Sequence, residues 1–137
     1  MSKQDNEINA VEVMRSSQAW NGDVLEAYPT GEPELTVMRL SLPAHTSLPW
    51  HTHPMPNAAF ILSGTLIVED KESGEQRTFH AGEALNETVN SAHRGYTLDE
   101  PAELVITYAG VKGQELTEPL PGEPEEFQAH LLHDAPR

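Results

Sequence analysis

Two histidines one residue apart, His51 and His53, sit in the stretch Pro49-Trp50-His51-Thr52-His53-Pro54-Met55-Pro56-Asn57, and a third, His93, follows forty residues after His53. In an extended strand successive side chains alternate faces, so His51 and His53 project the same way and can grip one small object between them. Neutral imidazole is the commonest metal-ligating side chain, which makes a divalent transition metal the leading candidate for that object. The chain contains no cysteine, so thiolate sites, disulfides and a cysteine nucleophile are excluded, and a metal must use nitrogen and oxygen donors. Pro49, Pro54 and Pro56 stiffen the backbone around the pair and limit the entropy lost on binding.

Strands must position these residues. The middle of the chain is punctuated by Gly, Pro, Asn and Asp, and the stretches between are short and rich in Val, Ile, Leu, Thr, Tyr and Phe. That is the rhythm of an all-β sandwich or barrel. Strands are expected over 35–42, 50–53, 58–62, 65–69, 76–79, 83–87, 93–98 and 102–109, with no room for a long helix. The polar run from Glu69 to Glu75 reads as a hairpin loop, and Asp99-Glu100-Pro101 as a further break. Residues 1–34 form an N-terminal arm, of which 1–19 add a strand or short helix across one sheet; 35–112 form the barrel core; 113–137 form an acidic, Pro-rich tail with a brief helical pattern over 126–133.

The 137 residues suit one domain with one core. With 22 acidic against 8 basic residues the formal charge is −14, and no basic stripe exists to meet nucleic acid or an anionic membrane. Part of the excess is local, since Glu115, Glu118, Glu123, Glu125 and Glu126 crowd the tail, which reads as solvated. The first residues lack the apolar stretch of a signal peptide, and the longest apolar run is Ala58 to Leu62, so a cytoplasmic protein is the expectation.

The ordered set of residues resembles the cupin superfamily over about residues 35–108. The first cupin motif places a Gly ahead of a His-x-His pair, then a Glu and a Gly; here His51, His53 and Gly64 stand at the matching places. The second places a Pro-x-Gly ahead of a His; here His80-Ala81-Gly82 leads to His93. The resemblance implies a single-domain double-stranded β-helix, or jelly-roll barrel, with a metal (Fe, Ni, Mn, Zn or Cu) in its mouth. The chain departs from the pattern at three places. His45 stands for the opening Gly and His80 for the Pro, which alters loop geometry more than chemistry, and Asn57 stands where the ligating Glu is expected. An amide oxygen is a neutral, weaker donor than a carboxylate, so the expected metal set is His51, His53, His93 and a weakened Asn57. Glu87 precedes His93 and has three open functional roles, to ligate the metal, act as a catalytic base or fix a histidine tautomer, with an exposed acid at a strand end as the alternative.

Trp50, Met55, Phe60, Tyr96 and Tyr108 flank the motif and are candidates for an apolar substrate pocket, with membership of the core as the alternative. His45 reads as a structural or rim residue, and His130 and His133 as a weak pair in the tail. Two functions compete. One is a metalloenzyme acting on a small molecule by dioxygenase-like or Lewis-acid chemistry at an open three-His site; a three-His set resembles that of some cupin dioxygenases. The other is a binding or sensor module that holds a small ligand or metal without turnover. The resemblance implies a homodimer, since small cupins commonly pair sheets or exchange terminal strands, and residues 1–34 are long enough to reach a second copy.

Overall fold

The computed structural model describes residues 6–124. The paired histidines 130 and 133, the helical pattern over 126–133, and Glu125 and Glu126 lie outside the described residues. Eight strands form one curled sheet: β1 (Pro33–Leu42), β2 (His51–Thr52), β3 (Asn57–Asp70), β4 (Gln76–His80), β5 (Ala84–Asn86), β6 (His93–Tyr96), β7 (Ala102–Val111) and β8 (Glu118–Pro119). The order is β1-β7-β3-β6-β2-β8, with β4 and β5 also paired to β3, and every pairing is antiparallel. The expected all-β jelly roll is the fold observed.

The long strand β3 makes the barrel close. Its first half pairs with β7 and β5, its second with β4 and β6. In the first half the inward positions are odd: Asn57, Ala59 and Ile61 are buried. In the second they are even: Leu66, Val68 and Asp70. A strand has period two, so one residue must be inserted to change parity. A β-bulge between Ile61 and Ser63, opposite Leu104 and Glu103, supplies it. Gly64 follows with φ of 79°, and a Cβ there would strike the carbonyl of Pro101. The sequence pattern reads this stretch as two strands broken at Gly64; the structure joins them, because the bulge and the glycine bend the strand without ending its pairing.

The core gathers the inward faces, chiefly Leu40 and Leu42 of β1, Ala59 and Ile61 of β3, and Leu104, Ile106 and Tyr108 of β7. Trp20, from the segment before β1, joins it and donates its backbone N–H to the Asn86 carbonyl. Residues 8–16 form no strand or helix; among the described residues of the arm, the expected N-terminal element reduces to a single bridge between Gln18 and Val24.

The stretch that follows Gly113 is not free over its first residues. Leu116 packs on the core, β8 pairs with β2, the Leu120 N–H donates to the Trp50 carbonyl, and the Trp50 N–H donates to Glu123 Oε1. Residues 114–123 are therefore a strap across the histidine strand. Gly64→Ala is expected to lower unfolding free energy by about 3 kcal/mol or more, since it combines a forbidden φ with a backbone clash. Urea denaturation reads this directly, and an unchanged midpoint would contradict the bend described.

Candidate metal centre

Backbone register across the β2–β6 and β3–β5 pairs brings four polar side chains to one point. His51 of β2 lies directly opposite His93 of β6, and directly opposed residues in an antiparallel pair share a face. His53, one residue past β2, keeps the parity of His51. On the other wall the β3–β5 register pairs Ala58 with Asn86, and the Glu87 N–H donates to the Asn57 carbonyl at 3.1 Å. The next residues in that register are thus Asn57 and Glu87, neighbours across the ladder. The carboxylate missing from position 57 is supplied one strand away by Glu87.

The three imidazole centroids lie 4.5 to 4.9 Å apart. One donor atom from each of His51, His53, Glu87 and His93 falls within 4.8 Å of every other, and all four residues are buried, the histidines at 1% exposure. Each ring is held by its far nitrogen. His51 Nδ1 is 2.7 Å from the Pro49 carbonyl, His53 Nδ1 is 2.9 Å from the Leu116 carbonyl, and His93 Nδ1 is 2.9 Å from the Ser91 carbonyl. A carbonyl only accepts, so each Nδ1 carries the proton and each Nε2 is turned inward. Thr88, fully buried beside Glu87, donates to the same Ser91 carbonyl and lies 2.9 Å from His93 Nδ1. The Asn90 N–H, in the loop between Glu87 and His93, donates to the His53 carbonyl. Glu87 Oε1 is 2.7 Å from His93 Nε2 and 3.4 Å from His53 Nε2.

Burial pushes the His51 pKa down to about 3, with the charges of His93 and His53 adding to the effect against the Pro49 carbonyl and Glu87. Burial alone would raise the Glu87 carboxyl, but hydrogen bonds from His53 and His93, and their charge, outweigh it and hold it well below the usual carboxylate range. A neutral imidazole and an ionised carboxylate are the states a cation needs. Three nitrogens and one carboxylate oxygen form a donor set suited to a first-row divalent ion and poorly suited to Mg or Ca. Asn57 is buried, its Nδ2 donates to the Met55 carbonyl, and its Oδ1 is a buried acceptor without a hydrogen-bond partner.

Beside the cluster lies a narrow cavity of about 20 Å3. Tyr108 lines it, with its ring 5.6 Å from that of His53. The other aromatic candidates do not. Trp50, Phe60 and Tyr96 alternate with the inward residues His51, Ala59 and Gly95 and so face outward; Arg94 and Lys71 stack on Trp50, and the Tyr96 hydroxyl donates to Gln76. Met55 is buried in the core away from the cavity lining. Aliphatic residues of matching parity, among them Leu40, Leu66 and Leu104, take the places assigned to aromatics. His45 sits outside with φ of 53° beside Asp99. Thr88 and the Leu116 carbonyl are functional groups that motif spacing does not mark.

Residues 38–108 match the family model described as Cupin domain. No curated protein matches the sequence. Among solved structures, the chain is similar to a cupin-like protein from Thermotoga maritima (15% identity, TM-score 0.55, 63% of this chain and 64% of that one). It is similar also to the polyketide cyclase RemF from Streptomyces resistomycificus (13% identity, TM-score 0.56, 88% of this chain and 85% of that one). A third is the DMSP lyase DddQ from Ruegeria pomeroyi (23% identity, TM-score 0.54, 59% of this chain); this chain spans 41% of the lyase's length. At these identities the likeness carries the fold alone.

Acid should destabilise the metal-free protein. The unfolded chain takes up a proton at His51 near its ordinary value of 6.5, whereas the folded chain resists to about 3. The His51 contribution to stability is therefore full above about pH 6.5 and is lost at about 1.4 kcal/mol per pH unit as pH drops through that window. Glu87 acts in the same direction below its ordinary 4.5, because its lowered folded value favours protonation of the unfolded chain first. Urea midpoints measured from pH 7 to pH 4 in chelator-treated protein should decline, and a flat profile would contradict a buried neutral His51.

Proposed function

This chain belongs to the cupin family, and we propose that within that fold it is a metalloenzyme whose centre is His51, His53, His93 and Glu87. The observation that carries the reading is the direction of the three rings: every Nδ1 is tied to a backbone carbonyl, and the Nε2 atoms converge around the Glu87 carboxylate. Donors preset in tautomer and orientation lose little entropy when a cation enters. A divalent first-row ion there would supply Lewis-acid or redox chemistry at the positions the four residues leave open.

Of the three roles open to Glu87, ligation fits best. Its Oε1 lies among the Nε2 atoms and not behind a ring at an Nδ1, where a group that fixes a tautomer would stand. His93 Nε2 and Glu87 Oε1 lie 2.7 Å apart, and an entering cation needs both atoms free of any proton between them. Metal affinity should therefore rise with pH. The substrate is a small molecule, and dioxygenase-like oxidation is the reaction class we favour. A second reading, metal binding without turnover, draws on the burial of all four side chains. Rapid exchange of metal-bound water with solvent, seen by proton relaxation in the manganese-loaded protein, supports the enzyme; its absence supports the binding module.

Two substitutions test the ligand assignment. Glu87→Gln should lower metal affinity by more than about 100-fold, beyond the 10–100-fold typical of groups that merely orient ligands. Asn57→Glu in that background should recover much of the loss, because position 57 stands across the ladder from position 87. Titration with a competing chelator measures both, and retention of affinity in Glu87→Gln would remove Glu87 from the set. Deleting residues 114–137 removes the Leu116 carbonyl from His53 and should cost about 10–100-fold in the same assay.

A further inference from the structure

We infer that the strap of residues 114–123 is a flap that opens to admit metal and small molecules to the centre; the inference rests on the metal reading above. His51, His53, His93 and Glu87 are all buried, so a cation or substrate reaches them when part of the wall moves. Segments that open readily are those that bury little apolar surface. Most of the wall is unsuited. β1 pairs with β7 along its whole length, β3 pairs with four strands, and these strands carry the core. The loop before β6 buries Thr88 completely, and the loop after β1 is tied to the buried Thr97 from Pro43 and Thr46. The strap is the reverse. β8 meets β2 over two residues, no strap side chain is fully buried, and its apolar contact with the core, Leu116, is only partly covered.

The strap has a hinge and a latch. Gly113 stands at its start with φ of 89° and no atom near the place a Cβ would take, so the chain can turn there without meeting a neighbour. At the far end two bonds hold the Trp50 backbone: its N–H donates to Glu123 Oε1 at 3.1 Å, and its carbonyl accepts from the Leu120 N–H at 3.1 Å. Between hinge and latch the Leu116 carbonyl holds His53 Nδ1. Opening the flap therefore uncovers the edge of β2, which carries His51, and at the same time releases the His53 ring. Coupling of this kind is reciprocal. A cation on His53 Nε2 makes the Nδ1–H a stronger donor to Leu116, so loading should hold the flap shut. Burial of the centre is then the closed state of a site that can still exchange its contents.

Zinc release from the full chain, read with a chromogenic chelator in excess, tests the flap. Thr52 and Glu118 face each other across the β2–β8 ladder, and Thr52 alternates with the inward His51 and His53. A disulfide spans such a pair, and the chain has no cysteine of its own to compete. Oxidised Thr52→Cys/Glu118→Cys should release zinc more than about tenfold slower than the same protein reduced, because zinc must then leave by an opening closer to global unfolding. Glu123→Ala removes the side-chain half of the latch and should release zinc faster than wild type. Equal rates in the oxidised and reduced protein, with stoichiometric zinc bound in both, would overturn the flap and leave the metal centre standing. Wild type that takes up no zinc would count against the metal centre, and amide hydrogen exchange in the metal-free chain then decides the flap. Leu120 and Trp50 exchanging together, well ahead of β3 and β7, would uphold it; exchange in step with those strands would overturn it. The same measurement decides if the paired cysteines do not oxidise or the variant does not fold.

Discussion

Four polar side chains lie buried in the interior of a small barrel, and the cost of placing them there governs the rest of the structure. A buried donor or acceptor without a partner costs about 1–3 kcal/mol, and an unpaired charge costs more. The chain meets this with one carbonyl for each ring. Those carbonyls come from three separate places: Pro49 in the lead-in to β2, Leu116 in the strap, and Ser91 in the loop before β6. Anchoring the histidines therefore ties together segments that the sheet alone would join only weakly. It also fixes every tautomer before any ligand arrives. Glu87 is the exception, because its partners are the histidines themselves, which leaves the carboxylate at the centre dependent on its ring neighbours.

Register turns this constraint into a site. The β2–β6 pairing sets His51 against His93, and the β3–β5 pairing sets position 57 against position 87. A carboxylate can move between two positions that face each other across a ladder without changing what it can reach. That is how this chain departs from the family pattern at Asn57 and still offers three imidazoles and one carboxylate. The bulge in β3 has the same character. It changes parity once, so that Asn57 and Ala59 in one half, and Leu66 and Val68 in the other, all point inward.

Much of this was legible in the sequence, and the limits were physical. The His-x-His pair is a local signal, because strand parity alone makes the two rings share a face. The turn rhythm likewise carries the all-β class. Parity also held information about Trp50, Phe60 and Tyr96: each is one residue out of step with His51, Ala59 and Gly95, so the argument that unites the histidines places these three aromatics outside. The alliance of Glu87 with position 57 was not legible, since it depends on which strands pair and in what register. Nor was the strap. A stretch of Glu and Pro reads as solvated tail, yet it is held by backbone carbonyls and amides that every residue carries and no composition reveals. The continuity of β3 through Gly64 was hidden for a related reason, because a glycine at positive φ ends some strands and only bends this one.

The central claim is that three imidazoles and Glu87 together hold one metal. X-ray absorption at the K-edge of whichever metal copurifies with the full chain tests it most directly. The spectrum should carry the multiple-scattering signature of three imidazoles and at least one carboxylate oxygen in the first coordination sphere, at the usual distances of roughly 2.0–2.2 Å. A sphere of oxygen atoms with one imidazole or none would contradict it and leave the cluster as a hydrogen-bonded polar core.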